Sequence, residues 1–211
     1  MKINKVAVIG AGLMGSGIAA QVANAGFPVT LLDIVPDGAT NRNVIAESAV
    51  RKMLKPVKLG SPAPLMHKKN AKLITTGNID DNLDLIKDAD LIIEVVLERL
   101  DVKHDVFSKI EKHRKKGSIV TSNTSTIPRE QLVKGMSESF AKDFMITHFF
   151  NPPRYLRLLE IVSGSEVSSD KVQIVSDFCD INLGKEVVVC NDTPGFIGNR
   201  IGCLLYTSDA A

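Results

Sequence analysis

Lys5-Val6-Ala7-Val8-Ile9 runs directly into Gly10-Ala11-Gly12-Leu13-Met14-Gly15, and this junction decides the fold. The apolar run has the length and composition of a buried strand, and a glycine turn ends it without a linker. Residues 16–25 then read as a helix of small residues closed by Gly26, and residues 29–33 as a second apolar strand ending in Asp33. Strand, glycine turn, helix and strand in such close succession make a βαβ unit. Each glycine has a physical reason. Gly10 allows a tight turn, Gly12 lets backbone amides approach a pyrophosphate, and Gly15 permits close packing of helix on sheet. The start of the helix adds orphan amides and a partial positive charge suited to a phosphate anion. Asp33, at the end of the second strand, is placed to accept hydrogen bonds from ribose hydroxyls and to repel a 2′-phosphate, which favours NAD over NADP.

Beyond this unit the alternation of strand and helix continues with one interruption. Ala46, Ala49, Val50, Met53 and Leu54 recur at three- and four-residue steps, the mark of an amphipathic helix, which Pro56 and then Gly60-Ser61-Pro62 close. Residues 73–75, 91–96 and 118–121 read as strands, with helical segments 82–87 and 102–113 between them. Residues 144–150 and 158–162 form two strand-like runs around Asn151-Pro152-Pro153-Arg154, followed by a helix at 168–182 and a last strand at 186–190. The expected architecture is α/β: a Rossmann-type, doubly wound, mostly parallel sheet with a helical insertion after the second strand and a late hairpin. Residues 1–192 are expected to be the dinucleotide domain. Asp192-Thr193-Pro194-Gly195 leads outward into residues 193–211, read as the start of a helical domain cut short, with closing residues that are not native.

Composition narrows the class. An apolar share of 44% over 211 residues suits an ample core, and a net charge of +2 argues neither for nor against a polyanionic partner. The charge is uneven, because residues 37–72 hold a strong excess of Lys and Arg over acids. Cys179, Cys190 and Cys203 lack metal-ligand spacing, so free thiols in a reducing compartment are expected and no metal. The apolar run at residues 91–97 is too short to span a bilayer, and the N-terminus leaves no room for a signal peptide. The cytoplasm is the default, with neither nucleic acid nor membrane as partner.

Two further groups of residues carry chemistry. His148 would sit at the end of an apolar strand, where open α/β sheets place their ligand crevice. If the two late runs form a hairpin, its midpoint falls at Arg154, and Glu160 becomes the cross-strand neighbour of His148. A carboxylate beside an imidazole holds one tautomer, orients the ring and raises its basicity, as a general base removing a hydroxyl proton requires. His67, His104 and His113 sit in polar or lysine-rich helical settings and read as solvated. In Ser122-Asn123-Thr124-Ser125, which follows another strand, Ser125 is either a donor to a substrate oxygen with Asn123 bracing the loop, or a helix N-cap.

In this order the glycine loop, Glu94 with Glu98 and Lys103, Ser122-Asn123-Thr124-Ser125, His148-Phe149-Phe150-Asn151-Pro152 and Asp192-Thr193-Pro194-Gly195-Phe196 resemble the L-3-hydroxyacyl-CoA dehydrogenases. The resemblance covers residues 1–202 and is to their NAD-binding domain, in stand-alone enzymes or in multifunctional fatty-acid oxidation proteins. It implies oxidation of (S)-3-hydroxyacyl-CoA to 3-ketoacyl-CoA with reduction of NAD, in a protein that is a homodimer at full length. It implies His148 as base and Glu160 as its partner, Ser125 and Asn199 on the substrate oxygen and thioester, and Asn151 near the nicotinamide. Glu98 and Lys103 resemble a cofactor-side pair, although spacing alone gives only a surface charge couple. Ser48 and Lys55 align loosely with contacts to CoA, whose phosphates suit the positive charge around Arg51, Lys52, Lys55 and Lys58. A solvated helix face explains any one of those lysines equally well. Two other readings stand beside this one. One is a dinucleotide-binding module without turnover. The other is another β-hydroxyacid or sugar-acid dehydrogenase on a similar fold, enzymes that commonly depend on a lysine base, which the pairing of His148 with Glu160 disfavours.

Overall fold

Strand β1 (Val6–Ile9) is buried along its whole length. Its side chains alternate between two cores, Val6 and Val8 in one and Ala7 and Ile9 in the other, so helices must cover both faces of the sheet. The computed structural model describes residues 1–56 and 62–208, the last four of these without their side chains. Helix α1 (Leu13–Asn24) begins inside the glycine motif, earlier than the sequence reading placed it, because Gly12 already serves as its N-cap residue. It lays Ile18 and Val22 fully buried on the first core. Each such side chain contributes about 1.5–3 kcal/mol relative to exposure. Gly26, with φ of +88°, turns the chain into β2 (Val29–Asp33).

The insertion follows as expected with α2 (Val44–Met53). Its predicted breakers Gly60 and Ser61 lie outside the described residues, as does Lys58. A 3-10 turn at Lys68–Leu73 leads into β3 (Ile74–Asn78), longer than predicted. The helical segment foreseen at 82–87 is a short 3-10 turn, Leu83–Ile86, before β4 (Leu91–Glu94). Helix α3 (Leu100–His113) and β5 (Ile119–Ser122) continue the alternation. Two short helices were not foreseen, α4 (Arg129–Val133) and α5 (Glu138–Asp143). Strands β6 (Phe144–Phe149) and β7 (Leu158–Ser163) form the predicted hairpin, and His148 faces Glu160 in its register. The helix foreseen at 168–182 is α6 (Ser169–Asp177) followed by a π-helical turn, Phe178–Asn182. Strand β8 (Glu186–Cys190) and helix α7 (Gly198–Ser208) close the described chain.

The eight strands form one sheet in the order β3-β2-β1-β4-β5-β6-β7-β8. Strands β1 to β6 are parallel to one another; β7 pairs antiparallel with β6, and β8 pairs parallel with β7. After β1 the chain winds outward to β3 and then returns to place β4 on the other side of β1. That reversal is the topological switch point, where open α/β sheets form a crevice at the carboxyl ends of their strands. Ile9, Glu94, Ser122 and His148 all lie at or next to those ends.

Candidate active site

The glycine loop fits a close-approaching ligand. At Gly10, φ is +108° and an added Cβ would lie 2.5 Å from the Val95 carbonyl oxygen. At Gly15 it would lie 1.8 Å from the Gly10 oxygen, so helix and turn can meet only without a side chain. At Gly12, by contrast, a Cβ meets nothing within 4 Å, so the loop there is open. It borders a cleft of about 350 Å³ formed by Gly12, Leu13, Met14, residues 95–98, Lys103, Asn123 and Ser125. Such a cleft, with a bare helix N-terminus at one side, suits the diphosphate of a dinucleotide. Asp33 is half-buried, and its carboxylate already braces the loop, accepting from the amides of Ala11 at 2.5 Å and Ile34 at 2.7 Å.

Beneath this cleft lies a buried charge network. Lys103 is 1% exposed, which corrects the expectation of a surface pair with Glu98. Its ammonium donates to Glu94 at 2.9 Å and meets Glu98 at 3.2 Å. Glu94, at the end of β4, also accepts from the Ser122 hydroxyl at 2.5 Å and the Val96 amide at 2.6 Å. Burial pushes its pKa above the usual carboxylate value against the pull of Lys103. Burial works the same way on Glu98, but the Thr124 hydroxyl, the Lys103 charge and the Ser125 amide outweigh it and hold that carboxyl low. Glu98 gathers the Thr124 hydroxyl, the Ser125 amide and both the amide and hydroxyl of Thr126. Ser125 is therefore not a helix cap. The next helix, α4, starts after Pro128, and its first two amides are held by the distant Asp192 carboxylate at 2.8 and 3.0 Å.

The second centre is the hairpin pair. His148 Nδ1 lies 2.7 Å from Glu160 Oε2, with the residues 6% and 1% exposed. A carboxylate oxygen accepts from a ring N–H at this distance, and in the neutral imidazole whose proton is on Nδ1 the other nitrogen, Nε2, is the acceptor. Phe150 and Phe196 pack on the imidazole with ring centroids 4.4 and 5.7 Å away. Asn123, a wall of the cleft, accepts from the amide of Phe149 at 2.8 Å and so ties the cofactor side to the strand that carries His148. The turn beyond His148 holds a cis Asn151-Pro152 bond and is gripped by Lys185, which is 2% exposed. The Lys185 ammonium donates to the carbonyls of Pro153 and Leu156, and burial lowers its pKa.

The 3-hydroxyacyl-CoA dehydrogenase, NAD binding domain, matches residues 5–193. The chain belongs to this family. A 3-hydroxyacyl-CoA dehydrogenase of Deinococcus radiodurans is 49% identical over 96% of the chain, which spans 57% of that relative. A trifunctional enzyme of a fatty-acid oxidation complex in Rickettsia felis is 45% identical over 97% of the chain, which spans 28% of it. The crystal structure of (S)-3-hydroxybutyryl-CoA dehydrogenase from Ralstonia eutropha superposes with a TM-score of 0.77 at 30% identity, covering 98% of this chain and 70% of that one. The chain thus spans a little over half of one curated relative and about a quarter of the other. The matched family is an NAD-binding domain, and the glycine-loop cleft is the candidate place for that cofactor.

The remaining predicted residues fall around these two centres. Asn151 is exposed in the turn after β6, and Asn199 is exposed in the first turn of α7. Ser48 lies on α2, where its hydroxyl accepts from Arg51 at 2.7 Å, and Lys55 is exposed just beyond that helix. His67 accepts from the Lys69 amide, while His104 and His113 contact the backbone oxygens of Gln131 and Lys109. Those last two are half-buried rather than fully solvated. Burial pushes the Cys179 and Cys190 thiols up to about 12 and about 11, which keeps both protonated and unreactive. No helix among the described residues is long and apolar enough to cross a membrane. Sequence reasoning missed the part played by Lys185 and the capping by Asp192. A lone lysine ahead of a strand, and an acid far from the helix it caps, leave no local pattern to read.

Proposed function

We propose that this domain presents NAD to a 3-hydroxyacyl-CoA substrate whose hydroxyl proton is taken by His148. The observation that carries the reading is the buried 2.7 Å contact between His148 Nδ1 and Glu160, one strand away from the glycine-loop cleft. When bound, NAD supplies the hydride acceptor. Gly10, Ala11, Gly12, Leu13, Met14 and Gly15 hold its diphosphate, Asp33 its adenosine ribose, and Glu98, Lys103, Ser125 and Asn151 the nicotinamide side. His148 Nε2 receives the proton, and Glu160 offsets the charge that develops on the imidazole. Ser125 and Asn199 hold the substrate oxygen and thioester. Ser48 and Lys55, with the basic segment around them, meet the CoA phosphates. The pathway is fatty-acid β-oxidation in the cytoplasm, and the full-length protein is a homodimer.

The test is His148→Ala in a version of the protein as long as the curated relatives it matches. Turnover of NADH with acetoacetyl-CoA is expected to fall by about 10²–10⁴, the usual worth of a general base, with the NADH dissociation constant unchanged. Loss of both together would show that His148 is structural and sink the assignment.

A second reading has its own observation. Ile197, Ile201 and Leu204 expose 43%, 53% and 68% of their surface at the i, i+4, i+7 spacing that puts them on one face of the α7 region, an apolar strip rather than scattered residues. On that reading the 211-residue chain binds NAD without turning over substrate. Tight NADH binding with no oxidation in the presence of acetoacetyl-CoA selects it.

A further inference from the structure

Glu160 has two oxygens, and only one of them serves His148. Oε1 accepts from the amide of Ile197 at 2.9 Å and from the amide of Gly198 at 2.7 Å. These amides open α7, where a helix leaves its first donors without intrahelical partners. The carboxylate, 1% exposed, is thus shared between an imidazole and a helix start.

The backbone that delivers these amides is built for the approach. Phe196 is 2% exposed and has φ of +46°, a left-handed conformation that residues with a Cβ rarely adopt. It follows Gly195, itself at +78°. Its ring packs on His148, so the strained residue touches the dyad on one side and hands over Ile197 and Gly198 on the other. Gly198 has no room for a side chain. A Cβ there would stand 2.6 Å from Cζ of Phe150, the ring that packs on His148, and 3.6 Å from Glu160 Oε1.

We propose that Ile197 and Gly198 are positioning residues of the dyad: their backbone amides fix the Glu160 carboxylate so that its other oxygen holds Nδ1–H of His148. The terminal torsion of a glutamate is broad, and one contact to an imidazole leaves it free to turn. Two further charge-assisted hydrogen bonds, from donors fixed in a helix terminus, remove that freedom. The proposal rests on His148 as the base.

The test uses the 211-residue chain labelled with ¹⁵N and needs no turnover. In the unaltered chain the Ile197 and Gly198 amides are expected to exchange with solvent at least about a hundredfold slower than unprotected amides, despite their place at a helix start. Unprotected exchange there overturns the proposal. In Gly198→Ala, exchange of the His148 Nδ1 proton should quicken tenfold or more while the NADH dissociation constant stays within about twofold. An unchanged Nδ1 proton, or a general loss of NADH binding, overturns it. Gly198→Ala combined with Phe150→Leu removes the colliding ring and should return the exchange to that of Phe150→Leu alone. A double variant as fast as Gly198→Ala marks a plain helix-start role and overturns the idea. Should Gly198→Ala fail to fold, Glu160→Gln decides, because its single carbonyl oxygen cannot serve both sides. Either the two amides or the Nδ1 proton must then exchange tenfold faster, and no change in either overturns the proposal. A failed activity test of His148→Ala would leave these exchange results standing.

Discussion

Lys103 is tolerable at 1% exposure because two carboxylates meet its ammonium, Glu94 at 2.9 Å and Glu98 at 3.2 Å. Lys103→Met would leave Glu94 buried without a counter-charge and should cost about 3–5 kcal/mol in urea unfolding. Adding Glu94→Gln should recover part of that loss, since a neutral amide needs no cation. A single variant as stable as the parent would show that the network is not held by charge. Asp33 is tested by binding instead. Its carboxylate braces the Ala11 amide at 2.5 Å while it offers further lone pairs to a ribose. Hydrogen bonds to a charged group contribute about 1.5–3 kcal/mol each, so Asp33→Ala should weaken NADH binding about tenfold or more and narrow the preference over NADPH. Fluorescence titration with both nucleotides reads the two effects separately. Equal loss for both would remove Asp33 from the discrimination.

Helix α4 shows what an element owes to residues far from it. It spans only Arg129–Val133, and its first amides depend on Asp192, 63 and 62 positions away. Asp192→Ala should cost about 1 kcal/mol, the usual worth of a lost cap, and lower the thermal midpoint by about 2–4 °C. An unshifted midpoint would mean that water replaces the carboxylate at no cost. The sequence could not show this helix, because five residues are too few for a 3.6-residue period to repeat. The same limit hid α5. Where the pattern was long or punctuated, the elements were legible: the glycine motif gave β1, α1 and β2. The midpoint of the late hairpin placed Glu160 opposite His148, as the register has it. Spacing misplaced Lys103, because five positions along the chain say nothing of the bend after β4 that carries Glu98 back over it. Gly15→Ala is the counterpart test for a legible element. With an added Cβ 1.8 Å from the Gly10 oxygen, the turn must open, and NADH binding should be lost while the sheet still folds. Circular dichroism beside a binding titration checks both halves of that expectation.

Across the whole molecule, carboxylates stitch distant segments together, and acid should unpick them in a predictable order. Asp90 holds the N-terminal segment through the Asn4 and Lys5 amides and pairs with Lys115 at 2.5 Å. Glu98 holds the Ser125 loop, and Glu166 meets the buried Arg129 guanidinium at 3.0 Å. At each one burial disfavours the charge but is outweighed, by Lys115 and two amides at Asp90, by Thr124, Lys103 and Ser125 at Glu98, and by its own amide and Arg129 at Glu166. All three folded pKa values therefore lie below the unfolded ones, 3.8 for the aspartate and 4.5 for the glutamates. The unfolded chain binds more protons as pH falls, so their contribution is complete above those unfolded values and is lost as pH drops through the folded ones. Glu94 runs the other way: its raised pKa means that protonation in acid relieves a buried charge and favours the folded state. Three carboxylates against one should decide the sign. Unfolding free energy from urea melts is expected to be flat from about pH 7 to 5 and to fall below about pH 4.5. Glu94→Gln should steepen that fall, because the one group that gains stability in acid is gone. A stability that rises between pH 5 and 3 would mean that Glu94 outweighs the other three and that the buried network, rather than the stitching carboxylates, governs the acid limb.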